Sequence, residues 1–178
     1  EKKVNGGQLG FSFYAGDSTN GHIDQGGNVT MLEADMKWRK GAFELNNSIA
    51  NVSISDSDEM NTFCSTTTRG SSSCRDDIPD NIFGINLQAG LHLPQAMGWK
   101  TTHDLIPHIM WEKIRPLDSF GANAATANRA KNFDRFLIGA SYMPIPKVAI
   151  KLDMSWYDYQ IAAADDYSTV EMAVAYMY

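Results

Sequence analysis

Cys64 and Cys74 bracket the stretch CSTTTRGSSSC. Two cysteines this close read as a disulfide closing a small external loop, worth about 2.5–3 kcal/mol on a loop-entropy basis. Such a bridge needs an oxidising compartment. No further Cys or nearby His completes a zinc ligand set, and a redox pair is more often spaced CxxC. The same segment carries Asp56, Asp58, Glu59, Asp76, Asp77 and Asp80 against only Arg69 and Arg75. Carboxylate oxygens suit Ca²⁺, but EF-hand spacing is absent, and a solvated acidic loop is the plainer reading. The four histidines are His22, His92, His103 and His108. None lies beside a Ser in a pattern that would build an activated nucleophile. His92 and His108 share the polar parity of neighbouring strands and read as polar lining residues. No phosphate loop or dinucleotide fingerprint appears. The expectation is a protein that is not an enzyme and has no cofactor and no metal.

The elements that must position these groups show period-two alternation. Eight runs carry it: 8–14, 28–39, 42–55, 81–93, 104–113, 134–143, 147–159 and 167–178. One parity is apolar, as in Leu9, Phe11 and Phe13, or Val148, Ile150, Leu152, Met154 and Trp156. The other parity carries Glu33, Asp35, Lys37, Glu44, His92, Asp104, His108, Glu112, Arg135, Lys151, Asp153 and Glu171. In the run 42–55 the pattern is less clean, because Asn47 and Asn51 share the apolar parity; a bulge, a register change and a covered patch are all open there. Connections alternate between long and short. Long loops fall near 15–27, 56–80 and 114–133, with a modest one at 160–166; short links fall at 40–42, 94–100 and 144–146. In the loop 116–133, GANAATANRAKN either folds inward as a constriction, presenting Arg129 and Lys131, or stays exposed.

Most runs are about 9–12 residues, near the ~9–11 of a tilted membrane-spanning strand and longer than the ~5–6 of soluble strands. Aromatic residues of apolar parity collect at both strand ends. Trp38, Phe43, Tyr142, Tyr176 and Tyr178 lie toward the short turns; Phe13, Phe83, Trp111, Phe136 and Trp156 lie toward the long loops. Aliphatic residues fill the middle. Two aromatic girdles around an aliphatic band are what a bilayer selects.

The chain has 178 residues and a formal net charge of −6. That length suits one domain, taken as 1–178. The acidic balance excludes a basic nucleic-acid footprint. No apolar run approaches the ~18 residues of a spanning helix, and the 43% hydrophobic content excludes a disordered chain. No leader is legible at Glu1; a leader already removed and a longer parent chain are both open.

Several segments resemble the C-terminal part of bacterial outer-membrane porins, in the broad group that includes the phosphate-selective porins. They are GQLGFSFYAGDS (7–18), KGAFELNNSIA (40–50), IPHIMWEKI (106–114) and FLIGASYMPIPKVAIKLDMSWYD (136–158). The final strand, with Val170, Met172, Val174, Tyr176 and a terminal Tyr178, resembles the signature read by the barrel-assembly machinery, where the last residue is usually Phe. The resemblance implies an all-β antiparallel transmembrane β-barrel in the outer membrane of a Gram-negative bacterium. Eight strands are visible here, about half the family's number. It also implies both chain ends periplasmic, long loops external, and contact with outer-membrane lipids and lipopolysaccharide; a homotrimer, as in larger porins, and a monomer, as in small barrels, are both open. The implied function is a channel for passive diffusion of small hydrophilic solutes or ions. The mixed charges of the polar parity do not match the Arg and Lys ladders of phosphate-selective members. Two further readings stand beside this one: a small closed eight-stranded barrel with a structural or loop-mediated role and no conduction, its interior filled by paired charges, and a soluble β-domain such as an adhesin module.

Overall fold

A computed structural model of the chain describes residues 5–17, 27–66, 78–120, 131–160 and 166–176. Eight strands are present: β1 (Asn5–Asp17), β2 (Asn28–Lys40), β3 (Phe43–Ile54), β4 (Asn81–Leu91), β5 (Asp104–Ser119), β6 (Phe133–Ile145), β7 (Val148–Tyr159) and β8 (Tyr167–Tyr176). They coincide with the eight alternating runs. Each strand pairs antiparallel with its sequence neighbour, giving one sheet of order β1 to β8. Gly41, at φ +60°, turns β2 into β3. That left-handed conformation is cheap only without a Cβ. The Gly41 N–H donates to Asn5 Oδ1 at 3.0 Å, fastening the turn to the start of β1.

One reading left open by the sequence is narrowed, to the exclusion of a bulge or register change, and one expectation is corrected. The ladder runs unbroken past Asn47 and Asn51. Asn47 Oδ1 accepts the Gln88 backbone N–H at 3.0 Å, so this polar side chain is used by the sheet itself. The register shifts fall elsewhere, between Asn81 and Phe83 and between Tyr142 and Ile145. In addition, β5 continues to Ser119 where a loop from about 114 was expected. The alternation lapses at Arg115 and Pro116, but side chains hold the strand. Arg115 donates to the Phe133 carbonyl at 2.5 Å and to Asp134 Oδ1 at 2.6 Å. Asn132 accepts from the Leu117 N–H at 3.0 Å and donates to its carbonyl at 2.9 Å.

The two faces of the sheet are inverted relative to a soluble protein. His108 is 5% exposed, whereas Ile109 beside it is 51% exposed. Asp153 is 7% exposed between Leu152 at 54% and Met154 at 41%. Among the described residues the buried apolar side chains are few: Met60, Pro79, Pro94, Leu117 and Leu137. A sandwich would bury one continuous apolar face against another layer; here that face is bare.

Closure into an eight-stranded barrel is not observed. Among the described residues no ladder joins β1 to β8, and the sheet is open. Eight strands close only around a lumen that side chains can just fill. Two helices interrupt the connections where the sequence suggested only loops: α1 (Ser57–Thr66) after β3 and α2 (Leu93–Ala96) after β4. No helix of the described residues is long and apolar enough to cross a membrane.

Candidate functional site

Strand pleating sends alternate residues to one face, and the register then decides which of them meet. On the polar face Ser12 Oγ donates to Glu33 Oε2 at 3.0 Å. Asp35 lies over Gly10, whose missing Cβ makes the room. Lys37 stands between Gln8 and Asn46 in the register and is exposed. Toward the sheet centre, Arg135 Nη1 meets Glu112 Oε2 at 3.3 Å, and its Nε and Nη2 donate to Ser155 Oγ at 3.1 and 2.9 Å. The same guanidinium sits 5.2 Å from the Tyr157 ring centre, within cation–π range. Asn86 Nδ2 completes this group, donating to Glu112 Oε1 at 2.9 Å.

The histidines separate into two networks rather than approaching one another. His108 Nε2 lies 3.0 Å from Asp153 Oδ1, and Lys151 Nζ lies 2.9 Å from Asp153 Oδ2. Glycines on both flanking strands, Gly90 and Gly139, stand opposite His108. A Cβ on Gly139 would sit 2.6 Å from His108 Nε2 and run into Asp153. Glu171 is opposite Asp153 but exposed. His92, 4% exposed, has Nδ1 2.5 Å from Asp104 Oδ2 and Nε2 3.1 Å from Glu44 Oε2.

His92 leads directly into α2. Gln95 Oε1 of that helix accepts from Arg39 Nη2 at 3.2 Å. The segment 92–95 therefore touches β3 and β5 through His92 and β2 through Gln95, and it lies across the polar face at the short-turn end. By its length alone this stretch, 94–100, reads as a short link between strands. A signal was available: Pro94 stands in the first turn of α2, and Gly98 follows at φ +68°, the usual Pro-start and Gly-stop asymmetry. The loop 116–133, open between an inward constriction and an exposed loop, lies largely outside the described residues, which omit 121–130. Arg129 lies outside them, and Lys131 is exposed.

On the apolar face the register builds rows. Trp111, Phe136 and Trp156 stand side by side across β5, β6 and β7, with Phe136 and Trp156 stacked at 6.0 Å. The next row is Ile109, Ile138, Met154 and Val170. Toward the short turns Trp38 and Phe43 meet edge to face at 6.1 Å, and the Tyr142 hydroxyl lies 2.7 Å from His103 Nδ1. Phe13 and Tyr176 are exposed on the edge strands β1 and β8, and Phe83 is half-buried. From Trp156 to Val148 the apolar band runs about 26 Å along the strand, or about 20 Å in height at a 40° tilt. Beyond the Trp row, Lys113, Asp134 and Asp158 form a charged row.

Cys64 is disulfide-bonded; Cys74 and Tyr178 lie outside the described residues, as do Asp76 and Asp77. Among the described residues, no three His, Cys, Asp or Glu side chains come together as a metal site. The long-loop rim is fastened by amides that the sequence reading missed. Asn61 pairs with both backbone groups of Ile78, at 2.8 and 2.9 Å, as Asn132 does with Leu117. A lone Asn in a polar loop gives no signal of such pairing. Comparison with known proteins found no matching family model, no matching curated protein and no matching solved structure.

Proposed function

We propose that this sheet is part of the wall of an outer-membrane β-barrel, with the polar face lining a passage for small hydrophilic solutes or ions. The observation that carries this reading is the inversion of the faces. Exposed Leu, Ile, Met and aromatic side chains cover one side, while on the other His92, His108 and Asp153 are buried and Glu112 and Arg135 half-buried. In water the bare apolar face is costly, at ~25 cal/mol per Å² of apolar surface; in a bilayer it is the required surface. The aromatic rows toward both ends fit the two interfaces.

The open edges bear on barrel size. Unpaired backbone groups in hydrocarbon cost several kcal/mol each, so β1 and β8 need strand partners. A wall wider than eight strands supplies them and leaves a water-filled lumen. The same edges count against the small closed barrel, and the bare apolar face counts against a soluble adhesin-like domain. The test is the full-length protein from its native outer membrane, in two measurements. Its denatured mass is expected to be well above the 19.7 kDa of this chain, and in planar bilayers it is expected to give stepwise conductance. A detergent-free soluble protein, or a membrane protein that never conducts, refutes the reading.

A further inference from the structure

We propose that a hollow at the long-loop end of the apolar face seats a membrane lipid whose headgroup ends in a protonated amine. This rests on the membrane part of the reading above, not on conduction. The register builds the hollow. Trp111, Phe136 and Trp156 stand in one row across β5, β6 and β7, and the next place in that row, on β8, is Ser168. A small side chain beside the indole leaves that side of the row open, and Trp156 is 39% exposed. The cavity so formed, of about 690 Å³, is walled by these rings and edged by Asp134, Asp158 and Asp166.

The three carboxylates are not equivalent. Asp134 is compensated: Arg115 Nη2 lies 2.6 Å from its Oδ1, and Lys113 is its partner in the register. Among the described residues Asp158 and Asp166 make no ion pair. Asp166 accepts the Tyr159 backbone N–H at 3.0 Å, and both acids are exposed. Two uncompensated negative charges therefore stand at the β7 and β8 end of the row, near Trp156, and an indole is the aromatic ring that attracts a cation most. The hollow lies at the level of the girdle, where headgroups meet acyl chains. Below it the row Ile138, Met154 and Val170 continues the apolar surface down the strands. An amine-headed lipid matches both parts at once, with its ammonium at the carboxylate lip and its acyl chain along the apolar row. An anionic headgroup would meet Asp158 and Asp166 as like charges.

The test is quenching of tryptophan fluorescence in the full-length protein by acyl-brominated lipid. The vesicles are mixtures of phosphatidylethanolamine and phosphatidylglycerol, with bromine on one of the two at a time. The part due to Trp156 is the difference between wild type and Trp156→Phe. Phosphatidylethanolamine is expected to be favoured at Trp156 by about two- to fivefold, the worth of one cation on an exposed ring. Trp38, at the short-turn girdle and read through Trp38→Phe, is expected to show no such preference. Asp158→Asn with Asp166→Asn is expected to abolish the preference at Trp156. Ser168→Lys, which brings an ammonium into the hollow, is expected to do the same, and keeps the test decisive if the double variant does not insert. Equal quenching by both lipids at Trp156, the same preference at Trp38, or a preference that survives in the variants overturns this inference and leaves the channel reading standing. Weak quenching of Trp156 by either lipid means that protein covers the hollow, and overturns it too. A protein that does not enter vesicles overturns both.

Discussion

At the scale of single residues, the polar face depends on where side chains are missing as much as on where they are present. Gly139 is the clearest case. Replacing a strand glycine with alanine ordinarily gains up to about 1 kcal/mol through chain entropy. At Gly139 the added methyl would press on His108 and displace Asp153 from its buried pairing with His108. Splitting such a pair costs about 1–3 kcal/mol or more, so the clash wins. Gly139→Ala is expected to lower the urea-unfolding midpoint in lipid vesicles, while Gly6→Ala, where nothing lies within 4 Å, is expected to raise it slightly. Asn132 makes a second such case. It is 1% exposed and also donates to Gln160 Oε1 at 2.7 Å. Asn132→Ala strands the Leu117 N–H and carbonyl, at a cost of about 2–3 kcal/mol. The same unfolding assay reads it, with Asn132→Asp as a variant that restores only the acceptor.

At the scale of elements, adjacent positions on one strand should answer the same substitution in opposite ways. Phe11 is 80% exposed on the apolar face of β1, and Ser12 faces Glu33. Lysine on a lipid-facing strand centre costs about 2–4 kcal/mol. Phe11→Lys is therefore expected to reduce the fraction of protein inserted into vesicles, measured by protease protection. Ser12→Lys, which meets a carboxylate, is expected to insert like wild type; equal loss in both would count against the face assignment. This alternation is also why the strands were legible. Their number, order and most of their limits could be read from runs such as VAIKLDMSW, because period-two patterning is a local property. What was not legible depended on partners distant in sequence. The end of β5 is held by Arg115 on Asp134 and by Asn132 on Leu117, and no local pattern announces either. The seating of α2 on the polar face joins residues 44, 92, 95 and 104. Its polar-parity members could be named in advance, but their meeting point follows from register and from a helix four residues long.

For the whole molecule, the polar face has more acid than base. Glu33, Asp35, Glu44, Asp104, Glu112, Asp153 and Glu171 stand against Lys37, Arg39, Arg135 and Lys151. If this face lines the passage, rings of carboxylates favour cations. The reversal potential in a KCl gradient is expected to show potassium preferred over chloride, and Glu112→Gln with Glu171→Gln together to weaken that preference. The order of the sheet has its own consequence. Among the described residues every ladder links neighbours in sequence, with no crossover, so the sheet is a series of interchangeable two-strand modules. Excising β6 and β7 would abolish the ladders they make and call for one new antiparallel seam, β5 against β8, with the directions already correct. A chain built this way can grow or shrink by duplication or loss of a hairpin, two strands at a time, and change circumference while its remaining seams stay in register.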